Sequence, residues 1–195
     1  MKERDNTLFY TFSDRRKTPD IETRANSAYI QKELAKRFTE KLTVKNVTVN
    51  LRGTYTCGLL FKHTRKGLPP YVSVKIEHST GKHTETILVW SPLAWNDRFV
   101  GCPGGGMSVG GEQYIGFPDN TSRGMTLTKA VLNGFTGATT DGGAKKREWA
   151  LDENEKRDRE LIENWRARST HFMTLAGKAV AEILHQRPVK YSYLH

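Results

Sequence analysis

Apolar residues recur along the chain with two distinct periods. Between Ala25 and about Leu42, Ile30, Leu34 and Phe38 return every four residues with charges between them, which predicts an amphipathic helix. Residues 43–51, TVKNVTVNL, are β-branched and predict a strand. In YVSVKIEH (71–78), Val72, Val74 and Ile76 alternate with polar neighbours, the pattern of a half-buried strand. Leu68-Pro69-Pro70 punctuates before it, and Gly81-Lys82 is a turn feeding a further strand through Trp90. NDRFVG (96–101) predicts a short strand, GMTLTKAVLNGF (124–135) a short helix capped at Gly134, and FTGATTDGG (135–143) a buried strand ending in a glycine loop. Residues 144–164 are densely charged and read as a surface excursion. Phe172, Leu175, Ala176, Ala179, Val180, Ile183 and Leu184 then keep helical spacing until Pro188, which cannot continue a helix. VKYSYLH (189–195) predicts a last strand.

This order specifies an α/β fold. An irregular arm (1–24), an N-terminal helix and antiparallel strands lead into parallel βαβ units, in a largely parallel sheet. The chain reads as one continuous domain, divided into residues 1–89 (arm, helix, antiparallel strands) and 90–195 (βαβ units). Ligands of such sheets gather at the carboxyl ends of the strands, where both glycine-rich loops and the last strand's end fall.

Composition narrows the function. The 195 residues are 36% hydrophobic, enough for one core, and no apolar run approaches the ~18 residues of a membrane span. The start, MKERDNTLFY, has no apolar stretch of the signal-peptide kind. Net charge is +10, and sixteen of the 31 Lys and Arg lie up to Lys75, against seven of the 21 acids. Acids are interspersed among these cations and no nucleic-acid-binding pattern accompanies them, so the surplus reads as a solvated basic surface. Cys57 and Cys102 lack zinc-site spacing; whether they pair is open from the sequence.

The least ordinary stretch is FVGCPGGGMSVGG (99–111), with glycine at 101, 104, 105, 106, 110 and 111. Glycine loses the most freedom on folding, so such a cluster implies close approach to the backbone. No register supplies the dinucleotide G-x-G-x-x-G, and no Gly-Lys-Ser/Thr closes a P-loop. An oxyanion-hole loop, whose bare amides meet a substrate carbonyl, and a plain flexible loop both remain.

The surroundings favour the first. SPLAWNDRFVGCPGGGMSVGG, AVLNGFTGATTDGG and HFMTLAGKAVAEILHQRPVKYSYLH resemble, in order, landmarks of the tannase and feruloyl esterase family. These are W-N-x-R-F-x-G-x-G-x-G-G, then G-Y/F-x-x-x-x-T-D-x-G-H, then H-x-M-T-x-A-G-K-A and R-P-x-K-Y-S-Y. The resemblance covers residues 90 to 195 and departs at Pro103-Gly104, where the family often has Gly-Asn, and at Ala144, where it has His. It implies the N-terminal part of an α/β-hydrolase serine esterase acting on gallate or hydroxycinnamate esters, with an incomplete hydrolase sheet.

In that family the strand Y-S-Y-x-x runs into the nucleophile elbow G-C-S-x-G-G, and the lid with its structural calcium follows later. The resemblance therefore implies that the nucleophile Ser, the Asp and the His lie beyond His195, that no catalytic residue and no cofactor or metal site falls within this chain, and that it is inactive alone. It implies oxyanion-hole backbone at Gly105, Gly106 and Met107, and a small aryl ester as the full-length partner. Neither nucleic acid nor membrane is expected as a partner. It also implies an extracellular location, and self-association of the isolated chain through an exposed last strand bearing Tyr191, Tyr193 and Leu194. His171 reads as structural, His63, His78, His83 and His185 as polar and exposed, and Asp141 as ordering its own loop. Ser108 and Ser192 lack the turn a nucleophile needs. The competing reading is a non-catalytic basic binding module on a truncated hydrolase scaffold.

Overall fold

The computed structural model describes residues 15–57, 63–104, 125–144, 150–152 and 154–195. In the first half these form β1 (Arg16–Lys17), α1 (Ile21–Arg24), α2 (Ser27–Ala35), β2 (Leu42–Asn50), β3 (Thr54–Cys57), β4 (His63–Lys66), β5 (Tyr71–Ser79) and β6 (Thr84–Pro92). Then follow β7 (Ala94–Trp95), β8 (Arg98–Gly101), α3 (Leu127–Leu132), β9 (Thr136–Thr140), α4 (Arg159–Glu163), α5 (Ser169–His185) and β10 (Tyr191–Leu194). One π-helical turn, Asn164–Arg168, joins α4 to α5.

Six strands make the main sheet, in the order β10-β8-β9-β6-β5-β2. The sheet is mixed rather than largely parallel. β2, β5, β6 and β9 pair antiparallel, whereas β8 pairs parallel with both β9 and β10. The reason is connection length. Only the turn between Ser79 and Thr84 joins β5 to β6, which antiparallel neighbours alone can use, while α3 and α5 provide the crossovers that parallel strands require. The expected sequence of antiparallel strands leading into βαβ units is therefore present, and strands from both halves of the chain share one sheet.

The period-2 residues are buried as their spacing demands. Val72, Val74, Ile76, Ile87 and Val89 face α2 and α5 in one core with Phe99 and Ala138. On the other face Leu88, Trp90 and Val100 pack with Leu127, Ala130, Val131 and Phe135 around α3. In α5 the buried stripe includes Met173 and Gly177, while Leu175 is exposed. Gly177 explains the rotation: a Cβ there would lie 2.6 Å from the Phe99 ring and 2.8 Å from the Ala138 Cβ. The helix seats on β8 and β9 through that gap, turning Leu175, about 200° away around the helix, toward solvent.

The end of the supposed irregular arm is part of the fold. β1 pairs with β7, Ile21 is in the core, and Thr18 Oγ1 lies 2.6 Å from His185 Nδ1. His185 is likewise buried instead of exposed. Its Nε2 is 2.8 Å from Ser91 Oγ, which continues to Thr136 Oγ1 at 2.7 Å, and its ring stacks on Trp95 at 4.5 Å. Beside it, Asp97 turns the chain with φ 60°. Its buried carboxylate is 3.0 Å from Arg187 Nε and 3.1 Å from Lys190 Nζ, and its carbonyl accepts the Lys190 amide at 2.8 Å.

Two outcomes follow. Gly177→Ala gains about 1 kcal/mol of helix propensity but forces atoms into the Phe99 and Ala138 contacts, an overpacking cost of ~1–3 kcal/mol. Phe99 and Ala138 sit on strands held from both sides, so the variant is expected to be net destabilised in urea titration. Burial, reinforced by the charges of Arg187 and Arg24, pushes His185 down to about 3. The unfolded chain, with an ordinary histidine near 6.5, then binds the extra proton between these values. Stability is complete above about pH 6.5 and falls by about 1.4 kcal/mol for each pH unit below it, down to about 3. Urea midpoints between pH 7 and 5 should show that slope, and His185→Gln should flatten it while keeping groups for Thr18 and Ser91.

Candidate active site at the carboxyl ends of the parallel strands

The parallel register sets three strand ends in a row. Leu194 of β10 lies opposite Gly101 of β8, which lies opposite Ala138 of β9. The Cys102 amide donates to the Ala138 carbonyl at 2.7 Å, and the His195 amide donates to the Gly101 carbonyl at 3.1 Å. A Cβ at Gly101 would come within 2.9 Å of Leu194 Cδ1 and 3.0 Å of Met173 Cε, so glycine there lets β10 and α5 close over the end of β8.

The glycine-rich segment leaves from this row through Cys102, Pro103 and Gly104, the last at φ 92°, a conformation that favours glycine. It returns at Met125, whose amide donates to His195 Nδ1 at 3.1 Å. Thr126 follows as the N-cap of α3, its Oγ1 accepting the Lys129 amide at 3.3 Å. Gly105, Gly106, Met107 and Ser108 lie outside the described residues. The segment's departure and return are thus both next to the end of β10.

At the end of β9, Asp141 orders its own loop as expected: its Oδ1 accepts the Thr86 amide at 2.7 Å and the Gly143 amide at 2.9 Å. The charged stretch beyond it contributes more than a solvated face. Asp158 caps α4 by accepting the Glu160 and Leu161 amides, and its Oδ2 is 2.8 Å from His83 Nε2. That bond to His83 holds the Asp158 carboxyl below the usual range. Glu160 receives the amides of Lys82 and His83 and the Thr80 hydroxyl, pinning the β5–β6 turn onto α4.

Two further histidines also differ from expectation. His78 is buried, stacked on Phe172 at 3.7 Å, with Nδ1 2.7 Å from Glu85 Oε1. Glu85 is fully buried and accepts the Thr140 hydroxyl at 2.9 Å. His83 is partly buried against Asp158. No periodicity could have found these pairs, because each polar residue gains its partner only when separate elements come together. The His63 side chain lies outside the described residues, while His171 and Ser192 are exposed. Among the described residues, no group of three or more His, Cys, Asp or Glu is arranged to hold a metal ion, and no helix is long and apolar enough to cross a membrane.

No family model matches the chain. Over 131 residues it is 33% identical to a probable feruloyl esterase of Arthroderma benhamiae, a match covering 64% of this chain and 22% of that protein. The chain thus spans about a fifth of the length of the curated relative it matches. Its fold is similar to the crystal structure of an esterase from Aspergillus oryzae, with TM-score 0.62 and 17% identity, over 85% of this chain and 32% of that one. Feruloyl esterase B from Aspergillus oryzae gives TM-score 0.58 and 17% identity, over 85% and 31%. The resemblance seen in the sequence is therefore present in both sequence and fold, and the fold is that of an incomplete α/β-hydrolase-like sheet.

Cys102, the residue after β8, is a free, buried thiol, so it does not pair with Cys57, whose side chain lies outside the described residues. Burial pushes this thiol up to about 12, leaving almost no thiolate near neutrality. In a Cys57→Ser variant, iodoacetamide at pH 8 should leave Cys102 unmodified in the native protein and alkylate it in urea, as read by intact mass.

Proposed function

We propose that this chain, a relative of the feruloyl esterases, forms the oxyanion-loop part of a serine carboxylic ester hydrolase acting on small aryl esters such as gallates or hydroxycinnamates. The observation that carries this reading is the parallel register of Leu194 beside Gly101, which makes the loop after β8 and whatever follows β10 neighbours. An α/β-hydrolase oxyanion hole draws one backbone donor from a loop after an early strand and the other from the residue after the nucleophile. In this reading the amides around Gly105, Gly106 and Met107 supply the first donor. Pro103 has no amide hydrogen to offer and fixes its own φ, which places the donor further along the loop.

The nucleophile, the acid and the base lie outside residues 1–195, as does the lid with its calcium, and the chain alone does not turn over ester. The small share of the relative that is matched, 22%, supports this. Two hydrogen-bond donors aimed at the developing oxyanion stabilise it by several kcal/mol in a dry site, roughly 10²–10³-fold in rate for one donor, but only once a nucleophile creates that charge. The full protein acts outside the cell. Residues 1–195 alone self-associate through β10, whose Tyr191 and Leu194 are 55% and 62% exposed at the sheet edge.

The gene read downstream of His195 is expected to encode G-C-S-x-G-G, in frame or shifted. Protein carrying that extension should hydrolyse methyl ferulate or methyl gallate and lose turnover when its serine becomes alanine. Residues 1–195 alone should show none. Turnover by residues 1–195 that a serine-directed phosphonate blocks would overturn the reading, because the nucleophile would then be inside the chain.

A further inference from the structure

We infer that the π-helical turn between α4 and α5 holds one internal water, bound between Asn164 Oδ1 and Ser169 Oγ beside the loop that follows β9. The inference is independent of the esterase reading above. Both residues are fully buried. Among the described residues, neither Asn164 Oδ1 nor Ser169 Oγ has a hydrogen-bond partner, so the two atoms do not bond to each other. A buried amide oxygen and a buried hydroxyl each lose their hydration on folding, and native interiors rarely leave such groups unpaired.

The helix geometry brings the two residues together. The Ser169 amide donates to the Asn164 carbonyl, five residues back instead of four. A π turn thereby stacks residues five apart on one side, as an α-helix stacks residues four apart. It also changes what the Ser169 side chain can reach. A helical hydroxyl can return to the carbonyl four residues before it, as Thr174 does within α5, donating to Thr170 at 2.8 Å. Ser169 makes no such bond. The side on which Asn164 lies is defined, because its Nδ2 donates to Thr80 Oγ1 at 3.2 Å and to the Gly142 carbonyl at 3.3 Å. The two unpartnered oxygens thus face the junction of the β5–β6 turn, the loop after β9 and the start of α5.

Chemistry sets the occupant. Asn164 Oδ1 only accepts, while the Ser169 hydroxyl has a hydrogen to give. The bridging molecule must therefore donate to one and accept from the other, and it must be small, since both side chains are shut off from solvent. Water meets all three requirements. Two neutral oxygens are too few for a hard cation, which takes about six. A water inserted beside the helical ladder is also a known cause of local helix distortion, so the π turn and the two unpartnered atoms share one explanation. Through Asn164 the water joins the start of α5 to Thr80 and Gly142, just after β5 and β9.

A crystal structure of the chain, at a resolution that shows ordered water, tests this. One water is expected at roughly 2.5–3.2 Å from both Asn164 Oδ1 and Ser169 Oγ. A direct bond between the two side chains, or a dry site, overturns the inference. In solution, magnetic relaxation dispersion of the water oxygen counts long-lived internal waters. Ser169→Val removes the hydroxyl and puts methyl groups in its place, so this variant should hold one such water fewer than the unmutated protein. An unchanged count also overturns the inference. Should Ser169→Val fail to fold, the crystal structure of the unmutated chain decides alone. No readout involves an ester, so failure here and failure of the esterase reading are separate results.

Discussion

Asp97 is the constraint on which the parallel half of the sheet depends. Its side chain is buried between β7 and β8, and a buried carboxylate is tolerable only when paired. Arg187 and Lys190, from the segment that leads into β10, supply that pairing, with Arg16 of β1 further out at 3.9 Å. The Asp97 carbonyl takes the Lys190 amide and, at 3.4 Å, that of Tyr191, so one residue starts the β8–β10 pairing through both its side chain and its backbone. Arg187 also lies over the Trp95 ring at 5.6 Å, and Trp95 in turn stacks on His185. Losing both Arg187 and Lys190 would strand the buried carboxylate, an effect larger than the modest net value of an intact pair.

Because the Asp97 pairing fixes register at the amino ends, it also determines what meets at the carboxyl ends. A strand slip of one residue would turn every side chain of β10 to the opposite face and move Leu194 off Gly101. With register held, Leu194 covers the glycine on the α5 face while Tyr193 stacks toward Phe135 on the other, at 5.8 Å. The side-by-side ends of β8 and β10 are therefore a consequence of charge pairing at the far end of the same strands. This is how the motifs W-N-x-R-F and R-P-x-K-Y-S-Y, far apart in sequence, come to act as one structural unit.

The periodic elements were legible in the sequence because burial on one face imposes its own spacing. The α5 helix, β5 and β6 lie where alternation or helical repeat placed them, and Gly134 ends α3 with φ 76°. Three things were not legible, each for a physical reason. His78 and His185 look like surface residues until Glu85, Ser91 and Thr18 arrive from other elements, and Thr18 stands 167 positions from its partner. Residues 15–24 have no period because they are held by single contacts, such as the Arg24 guanidinium on the Leu184 carbonyl at 2.8 Å. The mixed direction of the sheet depends on how β6 and β9 meet, which no local pattern encodes. Gly177 was the missed clue: a glycine inside a helix costs about 1 kcal/mol and usually marks close packing.

The buried polar groups divide into two networks that brace opposite ends of β6 and β9. Thr18, His185, Ser91 and Thr136 form one, and His78, Glu85 and Thr140 the other, with the apolar core between them. Each network satisfies its own donors and acceptors internally, which makes it rigid and keeps its histidine away from any substrate. Asp141, Asp158 and Glu160 are likewise occupied with backbone amides. Among the described residues the ionisable groups near the carboxyl ends of β9 and β6 are thus committed to structure. Under the proposed esterase function, what this chain offers to chemistry is backbone, and backbone donors act only if they are held still before charge develops. Under the same proposed function, the rigidity of the two networks serves that requirement, since a pre-set amide costs no reorganisation when an oxyanion forms.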